Sequence, residues 1–538
     1  MIGVALCAAA CGSRSTTVAH DAKPTSSATS STVIEVLQPT VGKPRYGGSV
    51  VYAVDGEADG WNPTTAQWAP QSTTEAQSVL DPLAAWGPHY DAEPYLAKAF
   101  THSADYKTWQ IELREGITFS DGERLDAKAV KTDLDAVAAS ALTGSALTPV
   151  TSITVVDPLT VAVHMSMPWS VFPTVLTTQV GYIDAPSEIR SGETDHAIGT
   201  GPFVMGTWVP NSSLTVTRNP HYWRKGLPYL DQITFKPMTD PQTMYESLLS
   251  GDIDLSQTSL PAIEQKLTAA ADHHEIQLVH SSGESEEQSV MLNTQAAPTN
   301  ELIVRQAIAY ATNTQQYAKV TGVDPGDLAT GPFAVGSKWY VPTGYPSFDL
   351  TKAKALVQQY AGEHGAPPSF SLICGVEIAE LKMCQLLKQQ WSLAGMKVRL
   401  VTENESTQVT AAITGKYQAS DWRQFGAQDP DGDSIWWNGA NTKPPLALNM
   451  ARNVDSRIDD AIRVGRTSYK ENERQLAYIV LARQLAKDLP YIWLSHTIWM
   501  LSAANNVRGF DTTTLPSGEK TDSVISGVVA VDQLWLAS

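Results

Sequence analysis

Asp105-Tyr106-Lys107-Thr108-Trp109-Gln110-Ile111-Glu112-Leu113-Arg114-Glu115-Gly116-Ile117-Thr118-Phe119-Ser120-Asp121-Gly122 is the stretch on which the reading of this chain turns. Trp109, Ile111 and Leu113 alternate onto one face, and so do Ile117 and Phe119, which is the period of half-buried strands. The pattern predicts two short amphipathic strands joined by a turn, with Ser120-Asp121-Gly122 as the turn that closes them. Alternation alone names no function.

Outward from that stretch, size and charge set the bounds. The chain has 538 residues, several times one ordinary domain, so two or more lobes are expected. Hydrophobic residues make up 42 %, enough for full cores. A net charge of −18 with no cluster of Lys and Arg argues against nucleic acid as a partner. No run of 18 apolar residues appears, and no internal repeat at 20–50 residues.

Only the N-terminus could meet a membrane. Met1 to Ala10 is small and apolar and leads to Ala8-Ala9-Ala10-Cys11-Gly12-Ser13, which reads as the end of a secretory signal with Cys11 as the lipid acceptor. No basic segment precedes it, and Ala8 stands where such sites more often carry Leu; an ordinary secretory tail or a fortuitous Cys are the other readings. Residues 12–45 are rich in Ser, Thr, Ala and Pro and read as a flexible tether. Of four cysteines, Cys7 lies in the expected signal segment and Cys11 is the lipid acceptor at its end. Cys374 and Cys384 remain, to pair in an oxidising compartment or to sit as two buried thiols.

From Arg45 the pattern is mixed α/β. Strands are expected at 46–54, 153–156, 160–165, 369–374, 397–402, 419–425 and 492–501. Helices are expected at 74–83, 126–139, 242–249, 301–312, 350–360, 379–394 and 406–415, and over 455–488 with a break near 468–472. The glycines of Gly199-Thr200-Gly201-Pro202-Phe203 are read as supplying backbone angles that other residues resist. Strands and helices alternating in two blocks suggest two α/β lobes with a ligand between them.

The opening segment resembles the signature of the peptide/nickel-type solute-binding proteins, family 5, of bacterial ABC importers. The resemblance continues in order through Gly199–Phe203, Asn219-Pro220-His221-Tyr222-Trp223, Leu230–Phe235, Ser250–Asp254, Leu292–Thr294 with Val304–Ala311, Gly331-Pro332, Asp349 with Ala353–Leu356, Asp429-Pro430-Asp431 and Leu489–Leu494. It covers about residues 46 to 512. It implies a two-lobed periplasmic-binding-protein-like α/β fold with a hinge and an extra subdomain in the first lobe. The expected division is a signal segment 1–11, tether 12–45, lobe I 46–285 with the subdomain at about 81–195, lobe II 286–499, and a return to lobe I at 500–538. It implies a monomeric binding protein without catalytic residues or cofactor. Such a protein is held at the outer face of the membrane only by its lipid, and delivers an oligopeptide or other small solute to permease subunits.

By the same resemblance the pocket draws on Ala66-Gln67-Trp68-Ala69, on Gly375-Val376-Glu377 and on the segment Arg423–Gln428. Peptide binders of the family place an Asp shortly before Asp-Pro-Asp to pair with the ligand's amine; here Phe425-Gly426-Ala427-Gln428 stands there, without a carboxylate. Asp421 or Glu377 is the substitute, against a surface or strand-edge role, and Arg423 serves an anionic group or a structural ion pair. Trp68, Trp422, Phe425, Trp436 and Trp437 are candidate stacking walls, with core packing the competing reading. In the tandem Trp436-Trp437 one ring is expected to face a cavity or solvent. Gln67, Gly426 and Gln428 complete the set. A binder of an oligosaccharide or metal chelate, and a surface regulator that has lost transport, stay open as alternatives. Bare nickel is not expected, since the 11 histidines form no cluster beyond His273-His274. Asp429-Pro430-Asp431-Gly432-Asp433 is read as an acidic turn rather than a metal site.

Overall fold

A computed structural model of the chain describes residues 42–281, 286–424, 426–443 and 447–537, together with the strand Glu35–Val36. Cys11 and nearly all of the tether lie outside the described residues. An eight-stranded sheet runs Glu35–Val36, Gln277–His280, Met500–Ala503, Leu255–Thr258, Ser49–Val54, Gln232–Pro237, Ser213–Arg218, Phe203–Val209. Ser49–Val54 pairs in parallel with both of its neighbours and is covered on both faces. Val50, Tyr52 and Val54 enter a core with Trp61 and Phe203, while Ala53 enters another with Met244 and Ile263 from the helices Pro241–Ser250 and Pro261–Asp272. Period-two alternation thus feeds two cores from one strand.

A five-stranded sheet follows the same logic, in the order Lys397–Thr402, Ser369–Cys374, Ala419–Gln424, Glu287–Leu292, Tyr491–His496. Ile492 and Leu494 point into one core and Tyr491 and Trp493 into the other. At the end of Ser369–Cys374, Cys374 is bonded to Cys384 of the helix Ile378–Leu393, with their Cα atoms 6.4 Å apart.

The opening stretch lies in a four-stranded antiparallel sheet, Ala97–His102, Thr108–Leu113, Thr160–Met165, Val150–Asp157. Trp109, Ile111 and Leu113 are buried as the alternation requires, and Ile117 and Phe119 are too. The second of the two expected strands does not form. Residues 117–119 sit between two turns, and only Thr118 bridges to Arg124. The helix Ala127–Ala139 covers this sheet with Ala129, Val130, Leu134 and Val137. Asp126 caps it by accepting from the backbone of Lys128 and Ala129.

Other differences are local. The helix expected at 74–83 is Pro70–Val79, started by a proline at its first turn and ended by the extended Leu80. The strand expected at 492–501 is two strands in two sheets, Tyr491–His496 and Met500–Ala503, with Thr497–Trp499 crossing between them. A second crossing joins Gln277–His280 to Glu287–Leu292. Where the crossings meet, Glu286 accepts from Trp499 Nε1 at 2.9 Å and pairs with Arg423, whose Nη2 donates to Ser259 Oγ at 2.8 Å.

Gly199 and Gly201 are needed for space, not for an unusual backbone angle. A Cβ on either would lie 2.0 or 2.4 Å from the Val79 carbonyl oxygen. Beside them Asp81 is buried, its Oδ2 accepting from Trp223 Nε1 at 2.7 Å and Thr200 Oγ1 at 3.0 Å. Burial pushes its carboxyl up to about 6, against the hydrogen bonds and Arg224 that lower it. The folded state therefore holds a proton that the unfolded chain loses near pH ~4, and this contribution to stability declines as pH rises from about 4 through 6. In urea melts Asp81→Asn is expected to flatten that decline; an unchanged slope between pH 4 and 6 contradicts the assignment.

Candidate functional site

A cavity of about 510 Å³ is lined by the loop 426–436 on one side and by three other parts of the molecule on the other. One wall is the loop and start of the helix Pro70–Val79 with Gln67, Trp68 and Gln77, the four-stranded subdomain with Trp86, Trp169, Thr178 and Gln179, and the C-terminal return with Thr521, Asp522 and Ser526. The opposite wall is the loop 426–436 and Arg466. The volume lies in the usual range of small-ligand sites, ~300–1,000 Å³.

Each wall is fixed by its own hydrogen bonds. Trp68 Nε1 donates to the Gly60 carbonyl at 3.0 Å, and its ring meets Tyr182 edge-on at 6.0 Å. The Gln67 backbone donates to Asp59 at 2.7 Å. Gln179 Nε2 donates to the carbonyls of Pro63 and Ala66 at 2.9 and 2.7 Å, which sets the loop's path. At the C-terminal return Arg224 pairs with Asp532 at 2.5 Å and donates to the Tyr95 hydroxyl at 3.1 Å.

The loop 426–436 is held by its own acids. Asp429 pairs with Arg474 at 2.5 Å, both nearly buried. Asp431 Oδ1 pairs with Arg466 at 2.8 Å, and its Oδ2 accepts from Trp169 Nε1, across the cleft, at 2.7 Å. Asp433 accepts from the Ala427 backbone at 3.0 Å, and burial pushes its carboxyl well up. Asp429 and Asp431 are thus each held by an arginine, and Asp433 by the backbone of its own loop. Among the described residues no group of three or more His, Cys, Asp or Glu is placed to hold a metal ion.

The seam beside the cavity is closed by further contacts. The Ser170 backbone donates to the Arg466 carbonyl at 2.9 Å, and its hydroxyl donates to the Ser468 carbonyl at 2.7 Å. Tyr106 and Tyr469 stack at 5.9 Å. Gln428 Nε2 reaches over to Ser526 Oγ at 3.2 Å.

Of the residues singled out in the sequence, the structure brings Gln67, Trp68, Gly426, Gln428 and Trp436 to this cavity. Phe425 lies outside the described residues. Four others do not line it. Glu377 is exposed at the start of the helix Ile378–Leu393, its backbone N–H donating to Glu380 at 3.3 Å. Trp422 packs on the core of the five-stranded half, and Arg423 is held at the crossing by Glu286 and Ser259. Trp437 is buried against Phe333 while Trp436 faces the cavity, the two rings diverging from the helical turn Ser434–Trp437 rather than from a strand. Asp421, the other proposed carboxylate, is neither at the surface nor in the cavity; it is buried and accepts from Gln288 Nε2 at 2.5 Å. Sequence reading missed the C-terminal lining 513–532 altogether. The isolated acids Asp522 and Asp532 in a Ser/Thr/Val-rich stretch were its only available signal.

The bond from Trp169 to Asp431 joins the halves and ends on a charge, so it contributes about 1.5–3 kcal/mol to closure. Trp169→Phe keeps a ring over Arg466 and removes the donor. Its ratio of closed to open form is expected to fall about tenfold or more, seen as a larger radius of gyration in small-angle scattering; an unchanged curve contradicts the role.

Comparison with known proteins agrees with this architecture. Residues 91–444 match the family described as bacterial extracellular solute-binding proteins, family 5. The glutathione-binding protein GsiB of Salmonella paratyphi A is 28 % identical over 434 residues, 77 % of this chain and 82 % of that protein. Among solved structures, the periplasmic binding protein DppA of Helicobacter pylori in complex with the peptide STSA superposes with a TM-score of 0.77 at 20 % identity, over 92 % of this chain and 99 % of that one. NikA of Brucella suis in complex with Fe(III)-EDTA does so at 0.76 and 22 % identity, over 91 % and 100 %. These are two-lobed binding proteins and not enzymes, and the sheets and cleft described above are theirs in outline. The chain belongs to the bacterial extracellular solute-binding proteins of family 5, the extracytoplasmic receptors of ABC importers.

Proposed function

We propose that the solute is a short peptide and that the receptor is tethered to the outer face of the membrane through Cys11, acting as a monomer. The observation that carries the reading is a cavity built by both halves of the molecule. A solute lodged there contacts both walls at once and favours the closed form, which is how hinged receptors signal occupancy to a permease.

A peptide suits the walls. Aromatic rings of Trp68, Trp86, Trp169 and Trp436 give broad apolar contact. Relatives named for glutathione and for a bound tetrapeptide support the same class. No described helix is long and apolar enough to cross a membrane.

Thermal melts of the mature protein with pooled tetrapeptides, oligosaccharides and metal chelates test the assignment. Peptide present at a hundred times its Kd is expected to add ~2.7 kcal/mol of stability, read as a melting temperature that rises with peptide concentration. A rise with sugars or chelates and none with peptides would contradict it.

A further inference from the structure

The charges around the cavity do not balance. Five carboxylates line it, Asp429, Asp431, Asp433, Asp522 and Asp532, against two guanidiniums, Arg224 and Arg466. Three of the acids already have a cation: Asp429 has Arg474, Asp431 has Arg466, and Asp532 has Arg224. Asp433 is folded back on its own loop at the Ala427 backbone. Asp522 differs from all four. It ends the hairpin strand Lys520–Asp522, stays half-buried, and meets a phenol rather than a cation, the Tyr90 hydroxyl donating to its Oδ2 at 2.7 Å.

We propose that Asp522 is the cavity's cation-binding residue, and that the solute carries a primary ammonium held by its carboxylate. This rests on the reading of the cavity as the solute site. Both cavity arginines are spent on aspartates; of the two cavity carboxylates without an ion pair among the described residues, Asp433 is buried on its own loop and Asp522 is the half-buried one that a ligand cation can reach. With Tyr90 as its one side-chain donor among the described residues, this half-buried carboxylate is incompletely solvated, and an ammonium arriving as the lobes close replaces the water it loses. Burial raises the Asp522 carboxyl and the Tyr90 hydrogen bond lowers it; an ammonium beside it would favour the ionised form. Tyr90 fixes the carboxylate's orientation from the turn of the hairpin Ala84–Trp86/Ala92–Pro94. The anchor is thus supplied by the C-terminal return and not by the loop before Asp429.

The probes are a degenerate tetrapeptide pool with free N-termini and the same pool N-acetylated, both C-terminally amidated and free of Lys and Arg, so that the α-ammonium is the one difference. Binding is read by thermal shift and calorimetry. The wild type is expected to prefer the free pool at least tenfold, and Asp522→Asn, which keeps an oxygen for Tyr90, is expected to abolish the preference while still binding both pools weakly. Equal binding of the two pools by the wild type overturns the ammonium anchor and leaves the peptide reading intact. A preference retained in Asp522→Asn overturns the assignment to this residue. Binding of neither pool, with the wild type responding to a sugar or chelate, overturns the peptide reading and this proposal with it. Should Asp522→Asn fail to fold, Asp522→Glu replaces it: a preference changed less than twofold by the longer side chain overturns the assignment, and a larger change supports it.

Discussion

The carboxylate of Asp431 accepts from both halves of the molecule, from Arg466 on its own side and from Trp169 Nε1 on the other. Much of the site depends on that arrangement. It places the loop 426–436 against the subdomain, brings Gln428 within reach of Ser526, and sets Trp436 into the cavity wall. A charge shared in this way is stable only where it is well solvated by donors, and here the guanidinium and the indole supply them. The Asp429–Arg474 pair performs the same service one step deeper, under the loop. The acidic turn is therefore a structural clamp for one wall of the cleft.

Closure needs a pivot as well as a clasp. Gln277–His280 and Glu287–Leu292 lie in different sheets, the chain crosses between the sheets again at Thr497–Trp499, and Glu286 binds the indole of Trp499 and the guanidinium of Arg423 together. Arg423 in turn reaches Ser259 in the eight-stranded half. Arg423, read in sequence as a partner for an anionic group or a structural ion pair, makes the ion pair, with Glu286.

Local periodicity made much of the fold legible. Trp109, Ile111 and Leu113, the strand Ser369–Cys374 and the capped helix after Asp126 follow from patterns within a few residues. The failures share a cause in tertiary context. Ile492 to Leu501 reads as one strand, yet its two ends pair in different sheets. Ile117 and Phe119 alternate like a strand but have too few residues between turns to build a ladder. The site was harder still, because its charges are settled by partners distant in the chain: Asp429 by Arg474, Asp431 by Trp169, Asp532 by Arg224, Asp522 by Tyr90. The family resemblance pointed to Gln67, Trp68 and the loop before Asp429, and was silent on the C-terminal lining, whose short strands carry no periodic signal.

The central claim is that solute is enclosed between the loop 426–436 and a wall built partly from the C-terminal return. Hydrogen exchange on the protein with and without the free tetrapeptide pool tests it most directly, since closure should slow exchange where both walls meet the solute. The account predicts new protection in residues 67–77, 426–436 and 512–530, on both sides of the cleft. Protection confined to one half, or falling around Glu377 and Trp422 with the C-terminal return unchanged, would contradict it.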